Sequence, residues 1–138
     1  MEILRRENFP AAPFDVKVGC SPMVKIGNRV FIGGTSATNA HGDVEGGADP
    51  YRQAKIIFKK IDALLTHSGA SRRHVVRVSF YVTDITSGRG CLKAYAEWFK
   101  DIRPVITMVE VKALARVDRL VEVEAEAFVG SYSTSRLT

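Results

Sequence analysis

Residues 120–128, LVEVEAEAF, alternate Val121, Val123, Ala125 and Ala127 with Glu122, Glu124 and Glu126. A period of two sends the two sets to opposite faces of a strand, one apolar and one acidic. Residues 23–34, MVKIGNRVFIGG, hold two β-rich runs around Gly27-Asn28, a pair that tolerates positive φ, and predict an antiparallel hairpin. Residues 35–50 are rich in Gly, Asn and Asp and predict a long exposed loop. From Tyr51 to His67 the pattern changes. Tyr51, Ala54, Ile57, Phe58, Ile61, Leu64 and Leu65 recur at steps of three and four, predicting an amphipathic helix that stops near Gly69. HVVRVSFYVTDI, residues 74–85, is β-branched and aromatic and predicts a central strand. Residues 87–102 predict a second helix with Leu92, Tyr95, Ala96, Trp98 and Phe99 as its buried face, ending before Pro104. RPVITMVEV, residues 103–111, then predicts a buried strand from about Val105 to Lys112 that carries one carboxylate, Glu110.

This order predicts an α+β domain, a mixed sheet with two helices on one face. The other face would leave Val, Phe and Ile in water, and an apolar patch of that size marks an assembly surface. An oligomer is expected on these grounds alone.

A chain of 138 residues fits a single domain spanning 1–138. Its 46% hydrophobic and 25% charged content is that of a globular protein, and no window reaches the roughly 18 apolar residues of a membrane span. Basic residues near the N-terminus are not followed by an apolar core, so a cytoplasmic location is expected. The net charge of +5 is scattered, apart from pairs such as Lys59-Lys60 and Arg72-Arg73, which disfavours nucleic acid as a partner. Cys20 and Cys91 form no C-x-x-C and predict free thiols. His41, His67 and His74 lack ligand spacing and are expected at the surface or at helix ends. A metal is not expected.

GNRVFIGGTSAT, VVRVSFYVTDI, AEWFKDIRPVITMVEV and LVEVEAEAFVG, in this order, resemble the Rid family of reactive intermediate deaminases, also called the YjgF family, from roughly Gly19 to Gly130. The resemblance implies a chorismate-mutase-like fold, a homotrimer with a central barrel, and three small-molecule clefts between subunits. It also implies hydrolysis of 2-imino or 2-enamino acids to 2-keto acids and ammonia without a cofactor. The family's P-x-R-[ST]-x-V-E-V pattern, whose arginine holds the substrate carboxylate, reads Pro104 to Val111 here with Ile106 in the arginine position. Cys20 stands where a tyrosine is common and Gly33 where a small polar residue is frequent, while Gly34 is kept. Glu122 matches the glutamate that orients the attacking water, and Glu124 follows as the second of the motif.

These correspondences make Glu122 the candidate catalytic residue and Gly34, Cys20, Ile106, Thr107 and Met108 the candidate ligand-binding set. The expected cleft has Gly34, Ile106, Thr107, Met108 and Glu122 in its wall and a neighbour's loop after Asp84 as its cover. Arg103 is a candidate replacement for the missing charge, although an offset of three in an extended chain points away from Ile106. Two charge-assisted hydrogen bonds of about 1.5–3 kcal/mol each are missing, which costs a carboxylate about a hundredfold or more in affinity. The expected function is hydrolysis of an imine-like, enamine-like or related metabolite, with classical 2-imino acid deamination weak or absent. A non-catalytic metabolite-binding or regulatory module is one alternative, and RNA binding or endoribonuclease activity is another. Taken without the resemblance, the glutamates form a solvated row, Ile106 and Met108 pack, Cys20 is a small buried side chain, Glu110 serves a salt bridge, and Gly33-Gly34 mark a bulge.

Overall fold

The computed structural model describes residues 3–5 and 17–130. The described strands are β1 (Ile3–Arg5), β2 (Met23–Ile26), β3 (Arg29–Thr35), β4 (Val75–Val82), β5 (Val105–Glu110) and β6 (Val121–Phe128). The two long helices are α1 (Pro50–His67) and α2 (Gly88–Phe99). All six strands join one sheet in the order β1-β2-β3-β6-β4-β5, antiparallel except for the β4–β5 pair. The mixed α+β architecture is as expected.

Local chemistry sets the elements. Gly27 takes φ 55° in the two-residue turn joining β2 to β3, a geometry that suits the twist of a hairpin. Asp49 caps α1 by accepting the Tyr51 and Arg52 N–H groups at 3.0 and 3.3 Å, and Pro50 fills the first helical position. At the other end the Gly69 N–H donates to the Thr66 carbonyl at 3.1 Å and the Ala70 N–H to the Leu65 carbonyl at 2.8 Å, a Schellman closure.

The core lies between the helices and one face of the sheet. Phe58 of α1 meets Phe80 of β4 and Phe99 of α2 edge-on, at ring separations of 6.1 and 5.4 Å. Val121, Val123, Ala125 and Ala127 are buried beneath them, and the alternating glutamates point the other way, half-exposed. Gln53 is a polar member of this core. Fully buried on α1, it donates from Nε2 to the Gly47 and Asp118 carbonyls at 2.7 and 3.0 Å and accepts the Leu120 N–H at 3.0 Å. One side chain thereby fixes both the loop before α1 and the start of β6.

Four expectations change. The buried stripe of α2 is Cys91, Ala94 and Phe99 with Tyr95 and Trp98 partly covered, whereas Leu92 and Ala96 are exposed. The helix is turned by its packing on α1, where Gly90 comes so close that a Cβ would lie 3.1 Å from the Tyr51 nitrogen. Second, β5 is an edge strand rather than a buried one, and Val105 is 57% exposed. With a strand on one side only, it lacks the cover that β4 receives. Third, His74 does end a short helical turn, Arg72–His74, but is buried rather than at the surface, its Nδ1 accepting the Ser71 N–H at 3.0 Å. Fourth, Glu110, read as a salt-bridge residue, instead accepts the Ile85 N–H at 2.9 Å and has no ion pair among the described residues.

Candidate functional site

Strand register assigns the side chains to faces. In β4, Val78, Phe80 and Val82 point into the core, so Arg77, Ser79 and Tyr81 lie on the face without helices. Their partners on β6 are Glu126, Glu124 and Glu122 respectively. An acidic row therefore runs down the middle of the open face.

The three carboxylates are not equivalent. Glu126 lies 3.8 Å from the Arg77 guanidinium. Glu124 accepts a hydrogen bond from the Tyr81 hydroxyl, and this bond, followed by burial and the Glu124 charge, raises the Tyr81 phenol above its ordinary pKa. Glu122 has no such tie among the described residues. Its carboxylate leans across β3 over Gly34, where a Cβ would come within 2.5 Å of Oε1. A side chain at position 34 would push the Glu122 carboxylate aside, so the glycine sets where that carboxylate lies. The register between Ile32 and Thr35 is irregular here, the Gly33 N–H donating to Pro22 at 3.0 Å and the Thr35 hydroxyl to Gly33 at 2.9 Å. Gly33-Gly34 is thus a bulge that brings bare backbone up to the carboxylate.

The remaining candidates divide between the faces. Thr107 pairs with Ser79 and belongs to the open face with Gly34 and Glu122. Ile106 pairs with Val78 and Met108 with Phe80, which puts both on the helix side. A Cβ on Gly88, at the start of α2, would meet the Met108 sulfur at 2.7 Å. The expected wall of Gly34, Ile106, Thr107, Met108 and Glu122 is therefore not assembled within one chain. An edge strand presents alternate residues to both faces, and a motif read as one contiguous stretch conceals that division.

Arg103 also departs from the extended-chain argument. It takes φ 63°, its N–H and that of Ile102 both donating to the Phe99 carbonyl at 2.9 Å, so it ends α2 and precedes β5. Burial pushes the Tyr95 phenol up, and the Arg103 charge opposes that rise. Cys20 is exposed, not buried, and Cys91 is enclosed, its thiol pushed up to about 11 by burial. A disulfide-exchange reagent at pH 8 should titrate one thiol per folded chain quickly and a second only in denaturant. Two fast thiols would contradict the burial of Cys91.

A depression of about 370 Å³ lined by Ile26, Asn28, Arg29, Phe31 and Phe128 lies on the open face, at the opposite end of β6 from Glu122. Chemistry rather than concavity therefore singles out Glu122. Among the described residues no three His, Cys, Asp or Glu side chains converge as a metal site, and no helix is long and apolar enough to cross a membrane.

Sequence reasoning did not single out Tyr81. Its signal is nonlocal, since only cross-strand register brings it beside the glutamate row.

Comparisons with known proteins bear on this geometry. A family profile described as Endoribonuclease L-PSP matches residues 11–129. A RutC family protein of Aquifex aeolicus is 34% identical over 129 residues, covering 90% of this chain and 98% of its own. The 3-aminoacrylate deaminase RutC of Acinetobacter baylyi is 27% identical over 120 residues, 87% of this chain and 90% of that protein. The crystal structure of a member of the highly conserved YjgF family from Mycobacterium tuberculosis superposes with a TM-score of 0.81 at 35% identity, covering 93% of this chain and all of that one.

Proposed function

The chain belongs to the Rid/YjgF family, and from that premise we propose that it hydrolyses an imine-like or enamine-like metabolite lacking the carboxylate of the classical 2-imino acids. Glu122 carries this reading: it alone of the three glutamates is untied among the described residues, and it leans over bare backbone where a small substrate has room. Its carboxylate accepts a proton from water as the oxygen bonds to the C=N carbon and the π electrons pass to nitrogen. Return of that proton to nitrogen gives a carbinolamine, and transfer of its hydroxyl proton through Glu122 to nitrogen then forms the C=O bond as the C–N bond breaks and ammonia leaves. Substrate charge is the point of departure from the family. Ile106, at the position of the family's carboxylate-binding arginine, offers no donor to a carboxylate.

Homotrimeric association belongs to the same proposal. Phe128, Val76, Val105 and Val109 are exposed on the single chain, and a neighbour would cover them while giving Glu122 the walls that one chain lacks. Ile106 would then contribute to a cleft only from the rim of β5. The proposed location is the cytoplasm. An endoribonuclease reading has the family's description behind it, but the face bearing Glu122 is acidic and repels phosphate.

The test compares two imines formed in situ, one from benzylamine by a flavin amine oxidase and 2-iminopropionate from alanine by an amino-acid oxidase, with ammonia release as the readout. Acceleration is expected for the first and little or none for the second. Faster turnover of 2-iminopropionate would overturn the proposed substrate class.

A further inference from the structure

Tyr81 stands directly across from Glu122 in the β4–β6 register, yet its hydroxyl reaches diagonally to Glu124. Residues two apart on a strand project to the same face about 7 Å apart, so Glu124 is the carboxylate able to swing against Glu122. We infer that Tyr81 is a positioning residue: by holding Glu124 it keeps a second negative charge out of the space over Gly34 and leaves Glu122 alone at the reacting position. This rests on the reading of Glu122 as the general base and extends it to a residue that does not touch substrate.

The surroundings leave few other groups for that task. On β6 the acidic neighbours are Glu124 and then Glu126, which faces Arg77 of β4. On β3 the open-face residues nearest to Glu122 are Gly33 and Gly34, with Phe31 beyond, and none of them titrates. On β5 the facing residues, Thr107 and Val109, carry no charge. The segment bearing Cys20 passes Gly33, where the Pro22 and Ser21 carbonyls lie 3.8 and 3.9 Å from the place of a Cβ. Beyond β4, Asp84 is engaged by Thr86. Two like charges on adjacent same-face positions repel, and a donor that fixes one of them relieves the other. The raised Tyr81 phenol follows from the same bond.

The experiment is a double-mutant cycle on the full chain, with the benzylamine-derived imine as substrate. Tyr81→Phe should lower kcat about tenfold with KM changed less than twofold. Adding Glu124→Gln should restore kcat to within about twofold of the parent, because the released group is then neutral. A purely structural role for Tyr81 would give no rescue, and a double variant as impaired as Tyr81→Phe would overturn the inference. A second readout does not depend on turnover. The Gly34 amide resonance reports the carboxylate lying over it and should move in Tyr81→Phe and return in the double variant. If the parent protein turns over neither imine while Gly34 responds as stated, the assigned reaction fails and the positioning role stands. If Gly34 is indifferent to both changes, the positioning role fails whatever the activity.

Discussion

Replacing Glu122 by glutamine should reduce kcat by at least about a hundredfold while leaving KM within about twofold, since proton transfer by a positioned side chain contributes about 10²–10⁴ in rate. Glutamine has nearly the same shape and still fits over Gly34, but its amide cannot take a proton from water. The fold should hardly notice. No hydrogen bond or ion pair ties Glu122 among the described residues, and urea midpoints of the two proteins should agree closely. Glu126→Gln provides the contrast. It loses a half-exposed ion pair with Arg77, which is worth at most about 1 kcal/mol, and kcat should survive. Equal activity in Glu122→Gln and the parent would remove Glu122 from the chemistry.

Gln53→Leu should produce the largest loss of stability among polar substitutions, about 3 kcal/mol in urea unfolding, because three hydrogen bonds of about 1 kcal/mol each vanish at a fully buried position. Leucine keeps the volume, so the change reports hydrogen bonding rather than a cavity. The Leu120 N–H and the Gly47 and Asp118 carbonyls are left without the partner that now satisfies them. Since Leu120 immediately precedes β6, the same substitution should loosen the strand that carries Glu122. A loss below about 1 kcal/mol would mean that water takes over these bonds.

Much of this architecture was legible in the sequence. The alternation in β6 and the helical stripe of α1 are local patterns, and both appear with the expected faces. What escaped depends on neighbours. Leu92 and Ala96 fit a helical period as well as Cys91 and Ala94 do, and only the close approach of Gly90 to Tyr51 decides which pair faces inward. β5 has the composition of a buried strand but lies at the sheet's edge, a matter of strand order that no window of sequence contains. The separation of Ile106 from Glu122 follows from its pairing with Val78, and the Tyr81–Glu124 bond from a diagonal across two strands. Family resemblance pointed to Glu122 through its motif. It could not say that the neighbouring glutamates are already engaged.

The contact between Gly34 and Glu122 also constrains how descendants of this chain can change. A methyl group at position 34 collides with a glutamate at position 122 and is harmless once that side chain has shortened. The two positions are therefore epistatic, and the order of substitution matters. A lineage that abandons the carboxylate first can later fill the glycine, whereas one that fills the glycine first must displace the carboxylate in the same step. Once position 34 has gained a side chain, a restored glutamate returns only in another rotamer, away from the backbone it now covers.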